Sequence, residues 1–471
     1  MESVSSNLSP VRWLFIRSSM PWRNSSWNIS AYSPEYGRSN GGTVMVLGKS
    51  GSNLFHGTLF EFFRNEDLNA RNYFAQPGRR PEFRRNQYGL TVGGPISKNK
   101  FFFFADWQGT RLRTGITRQS VVPTSAQRSG VFATAIYDPT SSPRTPFTNN
   151  TIPTFRFDPL AAQVLQHYPS PNASAANNFI LTGVEPDNQD QFDGRLDHVF
   201  TDKHRAFVRY SSLRDNDTPV PFLPDGSGNL TSGVTGHAIE YEALQMKLEK
   251  RFSRGLTFTF AYTFSKLIDD ASTYFSQTIF TGPTLTTIGA ADAFNRKLER
   301  DVSSGDIPRV FSGGWVYRIP RWWKISGWEI GGIVRVQAGD AVPVTQATNT
   351  LSAFGYAVQR PNRTGNPNEF ATRSASQWFD KSAFSPAGQF SIGNSSRNPV
   401  RGPGLQGADL MISNMFRLSE RLNVEFRAEV FNVSNTPPLN DPNGSFGSAA
   451  FGTITSAGNP RDFEFACKVR F

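Results

Sequence analysis

Apolar and polar residues alternate with a period of two along much of this 471-residue chain. Leu256, Phe258, Phe260, Tyr262 and Phe264 fall on one side of their segment, and Thr257, Thr259, Ala261 and Thr263 on the other. Residues 422–430 set Leu422, Val424, Phe426, Ala428 and Val430 against Asn423, Glu425, Arg427 and Glu429. At the end of the chain, Phe463, Phe465, Cys467, Val469 and Phe471 oppose Glu464, Ala466, Lys468 and Arg470. Successive side chains of a strand point to opposite faces, so each segment reads as a strand with one greasy and one wet face. A helix would spread the same charges around every side of its 3.6-residue turn.

Twelve such segments are predicted: Gly57–Arg64, Asn86–Gly93, Lys100–Leu112, Gln191–Phe200, His204–Leu213, Ala238–Phe252, Gly255–Leu267, Ser312–Ile319, Trp328–Gln337, Leu405–Leu418, Leu422–Val433 and Asp462–Phe471. Their connections sort strictly. Gly94–Asn99, Thr201–Lys203, Ser253–Arg254, Pro320–Gly327 and Ser419–Arg421 are short. Asn65–Arg85, Arg113–Asp190, Arg214–His237, Ile268–Phe311, Ala338–Gly404 and Ser434–Arg461 are long, and the two kinds alternate. Short periplasmic turns alternating with long extracellular loops characterise outer-membrane barrels. A terminal aromatic strand also fits a barrel, whose last strand pairs with its first and leaves no bare edge. The expected fold is therefore all-β, an antiparallel transmembrane barrel of the outer-membrane type with about 12 strands.

Composition agrees. Aromatics make up 13% of the chain, 41 of them Phe, while mean hydropathy is only −0.41. Barrel strands and polar loops together give that balance, and no run approaches the ~18 apolar residues of a transmembrane helix. The single cysteine, Cys467, excludes an intrachain disulfide and reads as a small lipid-facing or packed residue. The net charge of +11 is spread without a dense basic run. The closest cluster, Arg79-Arg80 with Arg84-Arg85, does not make a nucleic-acid motif. Outer-membrane lipid and lipopolysaccharide phosphates are the expected counter-charges. Leu14-Phe15-Ile16 is too short for the apolar core of a signal peptide, so none is read at the start of this sequence.

Motifs for chemistry fail on context. Gly402-Pro403-Gly404-Leu405-Gln406-Gly407 matches G-x-G-x-x-G, but an alternating strand follows where a dinucleotide site needs a helix. Gly48-Lys49-Ser50 would need its upstream glycine at position 43, which is Thr43. His56, His167, His198, His204 and His237 are scattered without metal-ligand spacing. Asp269, Asp270 and Asp292 read as solvated loop acids, and Trp322-Trp323 in a short turn as part of an interfacial aromatic girdle. No enzyme and no cofactor is expected.

One stretch goes beyond pattern. Tyr32-Ser33-Pro34-Glu35-Tyr36-Gly37-Arg38-Ser39-Asn40-Gly41-Gly42-Thr43-Val44 leads into Lys49-Ser50-Gly51-Ser52-Asn53-Leu54-Phe55-His56-Gly57 and then Leu59-Phe60-Glu61-Phe62-Phe63-Arg64-Asn65. This resembles the plug-to-barrel passage of TonB-dependent receptors of the Oar-like group. Gln87–Ile96, Lys100–Phe104, Leu248–Ser253, Tyr262–Lys266 and Phe426–Asn432 resemble the same family in the same order. The resemblance implies a plugged barrel of about 22 strands, energised through TonB, that takes up scarce nutrients or handles larger cargo.

Against that pattern, this sequence shows twelve strands, no TonB box and little plug. Residues 1–30, with Trp13, Trp22 and Trp27, fit neither plug nor strand and read as an unrelated start; 31–56 read as the end of a plug and 57–471 as the barrel. An internal deletion is expected between Tyr210-Ser211-Ser212 and Tyr241-Glu242-Ala243. The implied function is a truncated outer-membrane receptor or transporter; a surface-binding or adhesive barrel is the alternative. Phe463, Phe465, Val469 and Phe471 are the expected signal to the barrel-assembly machinery.

Overall fold

The computed structural model describes residues 22–28, 43–68, 82–218, 237–270, 296–320, 327–350, 358–419 and 422–470, apart from positions 139, 159–161, 163–164, 167, 175–176, 254 and 390. Phe471, Trp13, Asp292 and the Trp322-Trp323 pair lie outside these residues.

In chain order, β1 (Trp22–Asn28) pairs with β2 (Thr43–Gly48). Then come β3 (His56–Asn65), β4 (Phe83–Ser97), β5 (Phe101–Ser120), β6 (Phe179–Thr201), β7 (His204–Asp217), β8 (His237–Ser253) and β9 (Leu256–Asp269). A two-residue β10 (Asp301–Val302) precedes β11 (Arg309–Arg318) and β12 (Trp328–Gln337). The short β13 (Ala341–Val342), β14 (Thr345–Gln346), β15 (Asn362–Arg363), β16 (Phe384–Ser385) and β17 (Val400–Arg401) lie before β18 (Leu405–Arg417). β19 (Asn423–Phe431), β20 (Ser445–Phe446) and β21 (Asp462–Arg470) complete the chain.

Twelve strands form one antiparallel meander in the order β3-β4-β5-β6-β7-β8-β9-β11-β12-β18-β19-β21, with β10 added beside β9. Each of the twelve segments anticipated from the sequence is one of these strands, and each pairs with its neighbour in sequence. Among the described residues, β3 and β21 each pair on one side, so the described sheet runs between them without a closing pair.

Register puts the greasy positions in rows that cross the whole sheet. Phe264 lies opposite Leu244, and Phe260 opposite Leu248 and Gly313. Ala428 and Phe426 lie opposite Phe465 and Cys467. This apolar face is the exposed one: Leu196 is 45%, Leu248 42%, Phe264 54% and Phe465 70% exposed. The polar face is the covered one, with Gln87, Thr91, Asp106, Gln108, Asp193 and Ser265 each at most 9% exposed. A water-soluble sheet buries the opposite face, whereas a barrel in lipid has an apolar outside and a polar inside.

Two expectations need correction. β1 makes residues 22–28 a strand, although their side-chain pattern carries no period; backbone pairing with β2 sets it. β5 and β6 also run farther than the alternation does, so their long connection begins at residue 121 rather than 113. Outward residues on β5 are Phe101, Phe103, Ala105 and Trp107 up to the membrane limit, then Arg111 and Arg113. A tilted spanning strand needs only about 9–11 residues. Beyond the lipid, backbone pairing continues while the outer face is free to be charged.

Candidate functional site

Two regions of the sheet carry organised polar chemistry. The first is the inner wall of β5–β7. Asp106 and Asp193 are direct cross-strand partners, two carboxylates opposed on one face. Like charges so placed repel unless something neutralises them. Asp193 is well supplied: Arg209 Nε donates to it at 2.9 Å and Arg209 Nη2 at 2.5 Å, Ser211 Oγ at 2.5 Å and Gln191 Nε2 at 2.9 Å. Next to it, Arg195 donates twice to Asp197, at 2.8 and 2.7 Å, with its guanidinium 4.0 Å above the Phe207 ring. Asp106 is treated differently. It is 4% exposed, and its Oδ2 accepts no hydrogen bond among the described residues.

Across this wall lies the segment 48–55. Gly48 and Lys49 line a cavity together with Phe104, Asp106, Asp193, Arg195 and Arg209. The cavity measures about 10 Å³, the room of a single water. At Gly51 the segment lies flat on the wall: a Cβ there would sit 2.3 Å from the Phe103 carbonyl oxygen and 2.7 Å from that of Gly94. Asn53 Nδ2 donates to Asn99 Oδ1 at 2.5 Å, and the Asn99 backbone N–H donates to Asn53 Oδ1 at 2.8 Å. Asn99 belongs to the β4–β5 turn and takes a positive φ of 64°, so the segment ends at the rim of the short turns, where β3 starts.

The second region is a cap at the long-loop end. Residues 338–404 and 434–461, expected to be long extracellular loops, enclose a core of Val342, Val344, Phe379, Ala383, Phe384, Val400 and Phe451. Phe379 packs edge-on to Phe451 at 5.1 Å and to Phe384 at 6.0 Å. β14 pairs in parallel with β20, tying the two loops together. The cap is bolted to the strand ends by buried ions. Arg397 pairs with Asp269, Arg360 with Glu299, and Arg401 Nη2 donates to Asp306 at 2.9 Å. Asp269 also accepts from Ser303 Oγ at 2.6 Å, and Asp270 accepts from the Ala238 backbone N–H at 2.6 Å.

Asp269 and Asp270 are thus buried anchors, not solvated loop acids, because the cap folds over them. Burial lowers Arg397 to about 10, still a cation at neutral pH. Asp441 packs against the backbone of Gly402, and burial together with the neighbouring Asp340 pushes it up to about 6. Asp340 is itself raised by burial. In the β5–β6 loop, Arg156 and Thr140 hold Asp138 down at about 2.

The remaining candidates fall into place separately. Phe463, Phe465 and Val469 project from β21 to the lipid side with Cys467, while Phe471 lies outside the described residues. The residue string 402–407 runs into β18 and not into a helix. Tyr88 and Trp107 lie 5.5 Å apart with Arg111 over the Tyr88 ring, and Trp328 meets Phe416 at 6.4 Å near the short turns, while the expected girdle pair Trp322-Trp323 lies outside the described residues. Among the described residues, no group of three or more His, Cys, Asp or Glu is placed to hold a metal. Sequence reasoning missed Lys49, Arg397 and Arg401; the pair of arginines in Arg397-Asn398-Pro399-Val400-Arg401 was the available signal.

An exposed greasy face, a covered polar face and alternating turns and loops define an outer-membrane β-barrel. Residues 47–238 and 220–464 match the family model of the outer membrane beta barrel domain, and the chain belongs to that family. It is located in the outer membrane of a Gram-negative bacterium. A stretch of 93 residues is 36% identical to the TonB-dependent transporter Oar of Myxococcus xanthus, covering 18% of this chain and 9% of that one. Among solved structures, the siderophore receptor PirA from Acinetobacter baumannii aligns at 12% identity and a TM-score of 0.40, over 87% of this chain and 43% of that one. The open form of the ferric-catecholate import receptor Fiu from E. coli K12 aligns at 11% identity and 0.33, over 87% and 60%. The chain therefore spans less than two thirds of these relatives' length.

Proposed function

We propose that this chain carries the barrel of a TonB-dependent receptor of the Oar-like group, moving a solute across the outer membrane through the polar interior of its sheet. One observation carries the reading: the twelve-strand meander whose apolar face is exposed and whose polar face is covered, with segment 48–55 entering that interior just before β3. Residues 31–56 are the end of a plug in this reading and 57–471 the barrel. The two family matches meet at residues 220–238, between β7 and β8, where the sequence suggested an internal deletion. TonB and the barrel-assembly machinery are the partners this reading assigns, with Phe463, Phe465, Val469 and Phe471 presenting the assembly strand.

A second reading, a surface-binding barrel without transport, draws on the cap. Two loops that share an aromatic core and buried ion pairs make a rigid extracellular surface. Solute flux into proteoliposomes separates the two. Flux of small labelled solutes above that of empty vesicles supports transport; binding to the cap with flux no higher than empty vesicles selects the second reading.

A further inference from the structure

The inner-wall pair Asp106–Asp193 has an unequal supply of donors. Arg209, Ser211 and Gln191 all serve Asp193. Asp106, more deeply covered than most side chains of the wall, has an Oδ2 that accepts no hydrogen bond among the described residues, and it lines the cavity together with Lys49. A buried carboxylate oxygen without a donor costs about 1–3 kcal/mol or more, so a donor is to be expected at that point. Lys49 is the cation contributed by segment 48–55, and it lines the same cavity as Asp106. A cavity of about 10 Å³ lets the ammonium reach Asp106 directly or through one bridging water. The segment is held on the wall at Gly51 and by the Asn53–Asn99 pair.

We propose that residues 48–55 are a latch on the luminal wall, that Lys49 is its bolt by neutralising Asp106 beside Asp193, and that losing this contact lifts the segment off β5–β7 and widens the lumen. The contact acts at the mouth of the polar path, between the strand that enters the lumen and the strand that begins the wall. It rests on the membrane-barrel reading only in that the covered face is the inside. No particular solute is assumed.

The test is labelling of a reporter next to the bolt. Ser50→Cys is placed in a Cys467→Ala background, in the full chain folded in detergent, and its reaction with a hydrophilic maleimide is timed. Heat-modifiable gel migration shows that each variant is folded. Lys49→Gln should speed labelling by about tenfold, the loss of a charge-assisted contact, while Lys49→Arg should stay close to the parent. Asp106→Asn should match Lys49→Gln, and the double variant should be no faster than either single one. Unchanged labelling in Lys49→Gln, equal loosening by Lys49→Arg, or additive effects in the double variant would each overturn the latch. Because labelling involves no transport, a barrel that moves no solute would leave this result intact.

Discussion

At the scale of single residues, charge is used in opposite ways inside the sheet and at its outer end. Inside, Arg195 pairs with Asp197, Arg209 with Asp193 on the next strand, and Arg427 with both Glu425 and Glu429. At the outer end, Arg397 and Asp269 are 3% and 7% exposed, so neither can be lost cheaply. Removing one partner of such a pair leaves the other buried and uncompensated, at about 3–5 kcal/mol. Arg397→Ala should therefore free the 358–404 loop, seen as protease cleavage there while the strands stay resistant; an uncut loop would refute the anchor. Asp441 gives a pH signature. Its folded value of about 6 lies above the ordinary 3.8, so between those values the folded cap holds more protons than the open one. Cap stability then falls as pH rises from about 4 to 6 and stays reduced above that. Asp441→Asn should flatten the slope to what Asp340 contributes and, with the group half-buried and partly screened by solvent, strengthen the cap at pH 7 by about 1–2 kcal/mol. Hydrogen exchange of residues 434–461 at pH 5 and pH 7 measures both effects.

At the scale of elements, the strands were legible because lipid imposes the alternation directly. Leu256–Phe264 has to be apolar at every second position, since one face meets hydrocarbon and the other water. The ends of β5 and β6 were not legible, because above the membrane Arg111 and Asp190 can pair outward at 2.9 Å without any period. Nor was the cap: its core draws on Val342, Val344, Phe379, Phe384, Val400 and Phe451, six residues widely spaced in Pro- and Gly-rich sequence that no local window joins. Lys49 was visible as a residue, but no local pattern shows that it shares a cavity with Asp106, far along the chain on β5. The alternation does make a clear forecast for β21. Phe465 lies opposite Ala428 on the lipid face, and Ala466 opposite Arg427 on the inner face. An arginine facing the middle of the bilayer costs about 2–4 kcal/mol, whereas one in the lumen is solvated. Phe465→Arg should cut the folded, heat-modifiable fraction severely, and Glu464→Arg, opposite Glu429 on the inner face, should leave it close to the parent. Equal losses would mean that β21 does not face lipid.

For the whole molecule, the decisive property is which side of the sheet meets water, and the chain's one cysteine reports on it. Cys467 is exposed, and it stands on the same face as Phe463, Phe465 and Val469, opposite Phe426. In a soluble all-β protein that position would be open to water, and a hydrophilic maleimide would modify it readily. In a barrel the same position lies against acyl chains, which a charged reagent does not enter. Protein reconstituted in vesicles should therefore resist a charged maleimide and react with a membrane-permeant, apolar one. After heating in detergent, both reagents should react. Moving the thiol one residue along, Cys467→Ala with Lys468→Cys, turns it to the inner face beside Glu425 and should make the charged reagent effective without unfolding. That reversal depends only on the period of two, so it tests the architecture as a whole. Equal reactivity at 467 and 468 would rule out a sheet with one face in lipid and the other in water.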